Sequence, residues 1–247
     1  MKILDWNVRG LGDENKCSLV HDVLTSCHPS VVCVQETKLE SITARKRCSF
    51  LPYYLDELAV VPSSGASGGL IVAWDSSSVS GQIVTTHQYH ITVRFSSTTS
   101  NSVILLSAVY APCVARERPL FFEGIDNAIS QVSEPWMIIG DFNMYRSEEE
   151  KSWGHVNWAM MEMFNDWIKE NGLDDINICN CRFTWLNKRE IPTLVRLDQV
   201  LVNAHWSLAF AQKNASVIPS VTSDHIPILV QFCNDKAKSR FFRMENH

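Results

Sequence analysis

Long hydrophobic runs are missing from this 247-residue chain. No stretch reaches the roughly 18 apolar residues that a membrane-spanning helix needs. Met1-Lys2-Ile3-Leu4-Asp5 opens no apolar leader segment, so neither a membrane span nor secretion is expected. Metal-type cysteine pairs are missing too. Cys17, Cys27, Cys33, Cys48, Cys113, Cys179, Cys181 and Cys233 include no C-x-x-C spacing, only Cys179-Asn180-Cys181. That argues against a zinc ribbon or disulfide framework and for free thiols in a reducing compartment. Cys33 and Cys233 lie in apolar runs and read as small core residues. An excess of positive charge is also absent: the formal net charge is -5. A polyanion-binding surface, if there is one, must be local, because screening limits the reach of charge to about 8–10 Å. No repeat and no linker interrupts residues 1–233, which read as one domain. Residues 234–247 read as a basic tail or the start of a linker.

The hydrophobic content of 45% and charged content of 20% are those of a globular chain with a substantial core. Basic residues gather locally at Arg45-Lys46-Arg47, at Arg182, Lys188, Arg189 and Arg196, and at Lys236, Lys238, Arg240 and Arg243. The first and last groups read as solvated loop charge. Short runs rich in Val, Ile and aromatics, bounded by Gly, Pro or Ser, predict strands at Lys2–Val8, Val31–Gln35, Gly69–Trp74, Gln82–Thr86, Ile91–Phe95, Val103–Tyr110, Trp136–Gly140, Leu194–Val202 and Ile228–Phe232. Ser63 to Gly69 reads as a flexible lead into a strand, and Ser96–Ser102 as a hairpin turn. Helices are expected over Asn15–Cys27, Arg118–Val132 and Trp158–Asn171. The last carries Met161, Phe164, Trp167 and Ile168 on one stripe, a core face, and stops at Gly172. The expected fold is α+β: a four-layer α/β-sandwich of two packed, mostly antiparallel sheets flanked by helices.

Several of these strands end in a chemically useful group. Val31-Val32-Cys33-Val34 runs into Gln35-Glu36-Thr37. A lone carboxylate there is more often solvated or salt-bridged. With the amide of Asn7 and a second carboxylate, though, it could supply Mg²⁺, which prefers one or two carboxylates and keeps several waters. Trp136-Met137-Ile138-Ile139 runs into Gly140-Asp141-Phe142-Asn143. Strand alternation would turn Asp141 and Asn143 toward one pocket. The bland alternative is an Asx-turn closing the strand. Ser223-Asp224-His225 precedes Pro227 and a final apolar run. A protonated His225 could stabilise a pentacovalent phosphate if a carboxylate held its other nitrogen, and Asp198 in Arg196-Leu197-Asp198 is the expected partner.

Taken in order, Trp6-Asn7, Gln35-Glu36-Thr37, Tyr110-Ala111-Pro112, Gly140-Asp141-Phe142-Asn143, Arg196-Leu197-Asp198 and Ser223-Asp224-His225 resemble the endonuclease/exonuclease/phosphatase family over residues 1 to 233. The resemblance implies Glu36 as principal metal ligand, with Asn7 and Asp224 near the metal. It implies Asp141 for activating water or protonating the leaving oxygen, Asn143 for positioning the phosphate or the nucleophile, and Tyr110 for lending its hydroxyl to phosphate. His225, oriented by Asp198, would contact the scissile phosphate. Two positions depart from relatives. Arg9 stands where apurinic endonucleases place an Asp, and Cys113 where an Asn is frequent. Asp5-Trp6-Asn7-Val8-Arg9-Gly10-Leu11, Phe183 to Arg189, Glu149-Glu150-Lys151 and Leu197-Asp198-Gln199-Val200-Leu201-Val202 resemble the endonuclease domains of plant LINE-type retrotransposons, although Asp5 replaces their usual Ser. Phe241 to Asn246 is similar to the segment that precedes the reverse transcriptase in such polyproteins.

The reading that results is a Mg²⁺-dependent DNA endonuclease, with Mn²⁺ as a substitute ion, acting as a monomer in the nucleus. It would nick double-stranded DNA to leave a 3′-hydroxyl for retrotransposon insertion, alongside a reverse transcriptase of the same parent polyprotein. Arg9, Arg182, Trp185, Lys188, Arg189 and Arg196 are the expected DNA contacts. The alternatives are a phosphatase on a small phosphorylated ligand, and a decayed domain that binds DNA or a partner without catalysis.

Overall fold

The computed structural model describes residues 1–65, 67–129 and 133–233. The basic tail at 234–247 and the last residues of the helix expected to reach Val132 lie outside these. The described chain forms β1 (Lys2–Asn7), α1 (Glu14–Cys27), β2 (Val31–Gln35), α2 (Ala44–Phe50), β3 (Glu57–Ser64), β4 (Ser67–Trp74), β5 (Val79–His87), β6 (His90–Ser97), β7 (Val103–Tyr110), α3 (Arg118–Ile129), β8 (Trp136–Asp141), α4 (Trp158–Glu170), β9 (Leu173–Asp175), β10 (Trp185–Leu186), β11 (Leu194–Val195), β12 (Asp198–Asn203), α5 (Ala204–Ala209), β13 (Gln212–Val217) and β14 (Ile228–Cys233).

Two six-stranded sheets result, in the orders β13-β14-β1-β2-β4-β3 and β5-β6-β7-β8-β12-β9. Each holds one parallel pair, β1 with β2 and β7 with β8, and is otherwise antiparallel. Helix α1 connects the first pair and α3 the second, because parallel neighbours need a crossover. Alternation along the strands then builds three apolar layers. Ile3, Cys33, Val72, Val93, Leu106, Ile139 and Val200 meet between the sheets. Cys17, Val20 and Leu24 of α1 and Phe50 of α2 cover one outer face. Phe121 and Ile125 of α3 and Phe164, Trp167 and Ile168 of α4 cover the other. The four-layer sandwich is therefore the observed fold.

Local chemistry explains where expectation and structure part. Arg45-Lys46-Arg47 is helical, not loop: Thr43 caps α2 by accepting from the Lys46 N–H, and Phe50 anchors it in the core. The Ser63–Gly69 segment is the tip of the β3–β4 hairpin, with Ser64 opposite Ser67. The run Leu194–Val202 is not one strand. Thr184 Oγ1 accepts the N–H groups of Leu197 (3.1 Å) and Asp198 (3.0 Å), and Arg196 N–H donates to Glu150 O. These bonds pull the backbone off the ladder between β11 and β12. The strands that went unread are β3, β9, β10 and β13. Of these, β3 and β13 are edge strands whose residues are mostly half-exposed, so their patterns lack a continuous buried face, while β9 and β10 are only three and two residues long.

Gly140 is the glycine on which the position of Asp141 depends. Its φ is +141°, and a Cβ there would lie 2.1 Å from Val109 O in the neighbouring strand. Only glycine lets β8 run that close to β7 just before Asp141.

Candidate active site

The ends that leave β1, β2, β7 and β8 and the start of β12 meet at one edge of the sandwich, and the loop before β14 closes over them. Arg9, Glu36, Lys38 and Asn143 all adopt left-handed backbone, with φ between 50° and 55°. Non-glycine residues pay roughly 1–3 kcal/mol for a sparsely populated backbone conformation, and such residues cluster where function demands them. Here the strained residues follow β1, β2 and β8 at the ends that carry the candidate groups. Glu36 is held by Gly10 N–H, which donates to its carbonyl at 2.6 Å, while Leu11 N–H donates to Thr37 O.

At the centre, His225 Nδ1 lies 2.9 Å from Asp198 Oδ2, and His225 Nε2 lies 3.6 Å from Asp141 Oδ2. Asn7 Nδ2 donates to the same Asp141 oxygen at 2.9 Å, bridging the two sheets. All four residues are buried. Burial alone would strip the imidazole of its proton, but the charges of Asp198 and Asp141 outweigh it and raise His225 to about 9. Burial, offset by His225 and reinforced by Asp198, raises Asp141 above the usual carboxylate range. The pair therefore combines an imidazolium with a carboxyl able to exchange a proton near neutrality.

Around this centre, Tyr110 gives its hydroxyl to Glu36; burial, then the Glu36 charge, raise the phenol far above its ordinary value, so it stays a donor. Lys38 Nζ sits 3.0 Å from Glu36 Oε1. Arg9 is ion-paired with Asp224, whose Oδ2 also accepts from Trp185 Nε1 at 3.1 Å. Asn143 does not follow the strand alternation expected of it, because β8 ends at Asp141. Its N–H donates to Asp141 Oδ1 at 2.8 Å, an Asx-turn, and its amide Nδ2 donates to Ala111 O at 2.8 Å.

The structure separates the basic residues that the sequence groups together. Arg182, Lys188 and Arg189 are exposed, the last two in the loop joining β10 to β11. Arg196 does not share their surface: it is buried, with NH2 2.8 Å from Asp175 and NH1 3.2 Å from Glu150. Its two terminal guanidinium nitrogens serve the scaffold that supports β12. Trp185 is half-buried and positions Asp224.

Several neighbours escaped sequence reasoning. Trp6 Nε1 donates to His225 O at 3.1 Å. Asp5, one strand residue pair below Asn7, is wholly buried and accepts from Gln35 Nε2. Burial, then the Asp198 charge, hold its carboxyl far above the ordinary range. Alternation from Asn7 could have placed Asp5 between the sheets; nothing local in sequence announces Lys38, which stands two residues after Glu36, each of the two in left-handed backbone.

The profile of the endonuclease/exonuclease/phosphatase family matches residues 6–225. The chain belongs to this family. It is thereby a phosphoester-cleaving enzyme of the metal-dependent class. Among solved structures it is similar to the AP endonuclease LMAP from Leishmania major (16% identity, 93% of this chain and 86% of that one, TM-score 0.72). It is also similar to the endonuclease domain of TRAS1, a telomere-specific non-LTR retrotransposon (13% identity, 95% and 99%, TM-score 0.70), and to the 3′ phosphatase NExo from Neisseria bound to product DNA hairpin (17% identity, 94% and 99%, TM-score 0.68). At these identities the likeness is one of fold. A search of curated proteins returns no match. Among the described residues no helix is long and apolar enough to cross a membrane.

Proposed function

We propose that the chain is a Mg²⁺-dependent DNA endonuclease that cuts one strand of a duplex and leaves a 3′-hydroxyl. The observation that best supports this is the joining of Asp141, His225 and Asp198 into one buried group beside Glu36. Those three could themselves be taken for a metal site, since their donor atoms lie within 4.8 Å of one another. A His225 that carries a proton and is engaged by Asp198 is a poor ligand, so the ion belongs with Glu36, Asp224 and Asn7. That set offers hard oxygen donors, which fit Mg²⁺ or Mn²⁺. Lys38 and Arg9, the cations now on Glu36 and Asp224, reach them from the exposed side and can move away. When bound, the ion supplies Lewis-acid stabilisation of charge on the phosphoryl oxygens.

The chain's own groups divide the remaining work. Asp141 takes a proton from the attacking water, and Asn7 Nδ2 keeps the receiving carboxyl oriented. The water oxygen bonds to phosphorus as the P–O3′ bond breaks; the phosphate stays on the 5′ side, and O3′ leaves as the hydroxyl after taking a proton from solvent water. His225 donates from Nε2 to a non-bridging oxygen, where charge grows in the transition state. Asp198 holds the Nδ1 proton in place, and Tyr110 is a second donor.

Lys188 and Arg189 extend from the β10–β11 loop toward a duplex backbone. Such phosphate contacts are sequence-tolerant. The fold shared with the TRAS1 endonuclease domain supports a role in nicking nuclear DNA for insertion, as a monomer, with a reverse transcriptase from the same polyprotein extending the exposed hydroxyl.

Incubation of the protein with supercoiled plasmid tests this. Open circles should form with Mg²⁺ and not with EDTA, and a polymerase should extend the nick without prior end repair. Intact plasmid, together with phosphate release from small monoesters, would move the assignment to a phosphatase. Intact plasmid without phosphate release but with DNA binding would move it to a non-catalytic binder.

A further inference from the structure

On the outer face of the second sheet, away from the catalytic centre, the β5–β6 turn brings two imidazoles together. His87 and His90 lie with ring centroids 5.3 Å apart and planes 29° apart. His90 is 1% exposed, and neither of its ring nitrogens has a hydrogen-bond partner among the described residues; nor has His87 Nδ1. A buried polar group without a partner costs about 1–3 kcal/mol, which a bound ligand would recover.

Space for one is present. Above the rings is a cavity of about 400 Å³, bounded by α3 and lined by Glu123, Gly124 and Asn127 with the two histidines. Gly124 leaves it open. A Cβ at that position would meet His87 Nδ1 at 3.3 Å and His90 Cε1 at 3.4 Å. Both rings thus turn a nitrogen-bearing edge toward the same recess. Among the described residues Glu123 is the only formally charged side chain in the lining, and its sign favours a cation. Two imidazoles sharing one tetrahedral ion through Zn–N bonds of about 2.0–2.1 Å would have centroids about 5 Å apart, close to the observed separation.

We propose that His87, His90 and Glu123 form a second metal site, for one transition-metal ion of the Zn²⁺, Co²⁺ or Ni²⁺ class, distinct from the centre that cleaves phosphodiesters. Nitrogen donors select these ions over Mg²⁺. Burial, followed by the neighbouring His87, lowers His90 to about 4, so its imidazole is neutral and has a lone pair to give. Glu123 is exposed and rotates in to complete the set with water. An ion here would tie the β5–β6 turn to α3 and stiffen an edge of the sheet that also carries Tyr110.

The test uses the full chain carrying Glu36→Gln, which removes the principal carboxylate of the catalytic centre. Titration with Co²⁺ should give one equivalent of bound ion, the visible d–d absorption of nitrogen and oxygen ligands without a thiolate charge-transfer band, and a raised thermal midpoint. His87→Ala, at a half-exposed position, should lose both the spectrum and the thermal shift while keeping its fold. Gly124→Ala, which retains both imidazoles but fills the recess, should weaken binding at least tenfold. A thiolate band, or Co²⁺ binding and stabilisation unchanged in His87→Ala and Gly124→Ala, would overturn the proposal; so would failure of the parent to bind Co²⁺ at all.

Discussion

Glu36 and Asp224 meet cations that reach in from solvent, whereas Asp141 and Asp198 meet an imidazole buried with them. The side chains of Arg9 and Lys38 are 50% and 35% exposed; that of His225 is 5% exposed. One half of the centre is thus neutralised by groups that can be displaced, and the other by a group that cannot leave. The difference fits two tasks. A carboxylate that must accept a metal needs a counter-charge it can exchange. A carboxyl that must move a proton needs a dry, fixed environment that brings its affinity near neutrality. Substitutions in each half should therefore fail in different ways.

The largest effect should come from Glu36→Gln. It leaves the β2 backbone and the Gly10 contact intact but removes the charge that holds the ion. Nicking should fall on the order of 10³-fold or more, since Lewis-acid stabilisation is worth several kcal/mol, while circular dichroism and DNA affinity stay near wild type. A wild-type rate at limiting Mg²⁺ would show that Glu36 is not the ligand.

In the buried half, His225→Ala should lower nicking about 10²–10³-fold, the loss typical of one electrostatic donor to the transition state. Its Mg²⁺ requirement should not change. Asp198→Asn should act in the same direction. The double variant should lose less than the product of the single losses, because Asp198 works through His225. Multiplicative losses would mean that the carboxylate acts by itself.

The same half should make stability depend on pH. His225 lies at about 9 in the fold against an ordinary 6.5, and Asp141 is raised as well. Both shifts are upward, so the folded chain holds more protons than the unfolded one, and stability falls as pH rises. The His225 contribution is fully present below about 6.5 and is lost as pH passes about 9. In EDTA, the melting midpoint should drop by about 5 °C across that window, given a contribution on the order of 1–3 kcal/mol. His225→Asn should flatten the drop. A midpoint that rises with pH would refute the assignment of charge.

These two halves were not equally legible in the sequence. Apart from Asp5, the carboxylates and amides of the centre could be named because each borders an apolar run, and burial of the run fixes where its end emerges. The His225–Asp198 contact could be expected because a buried imidazole needs an acceptor. Arg196 could not be told from Arg182 or Lys188, because sequence shows charge but not that Glu150 and Asp175 lie within reach. Asn143 failed the alternation argument because the strand stops at Asp141, where an Asx-turn takes over. Lys38 went unread because its position depends on two left-handed residues, a conformation no local pattern announces. Core strands announced themselves by burial on both faces, while β3 and β13, half-exposed at sheet edges, did not.

Outside the centre, Lys188→Ala with Arg189→Ala should weaken duplex binding and flatten the log–log salt slope by roughly two, since each phosphate contact contributes about 0.9. The turnover of bound DNA should be unaltered. An unchanged slope would place the duplex on another surface. Trp185→Phe should instead act on the metal half, because it removes a donor to Asp224.

The smallest effect, and the one that most sharpens the contrast between the halves, is expected from Lys38→Met. Lys38 Nζ is 3.0 Å from Glu36 Oε1, so a cation binding Glu36 must displace it. The ammonium is partly exposed, and such pairs contribute only about 0–1 kcal/mol. Removing it should therefore lower the Mg²⁺ concentration for half-maximal nicking by roughly threefold, the equivalent of about 0.7 kcal/mol. The rate at saturating Mg²⁺ should hold, because Lys38 competes with the ion and takes no part in proton transfer. A raised Mg²⁺ requirement would mean that Lys38 orients Glu36 rather than opposing the ion. A lower rate at saturation would mean that it reaches the phosphate. Either result would erase the distinction between displaceable and fixed counter-charges from which the two halves of the centre have been told apart.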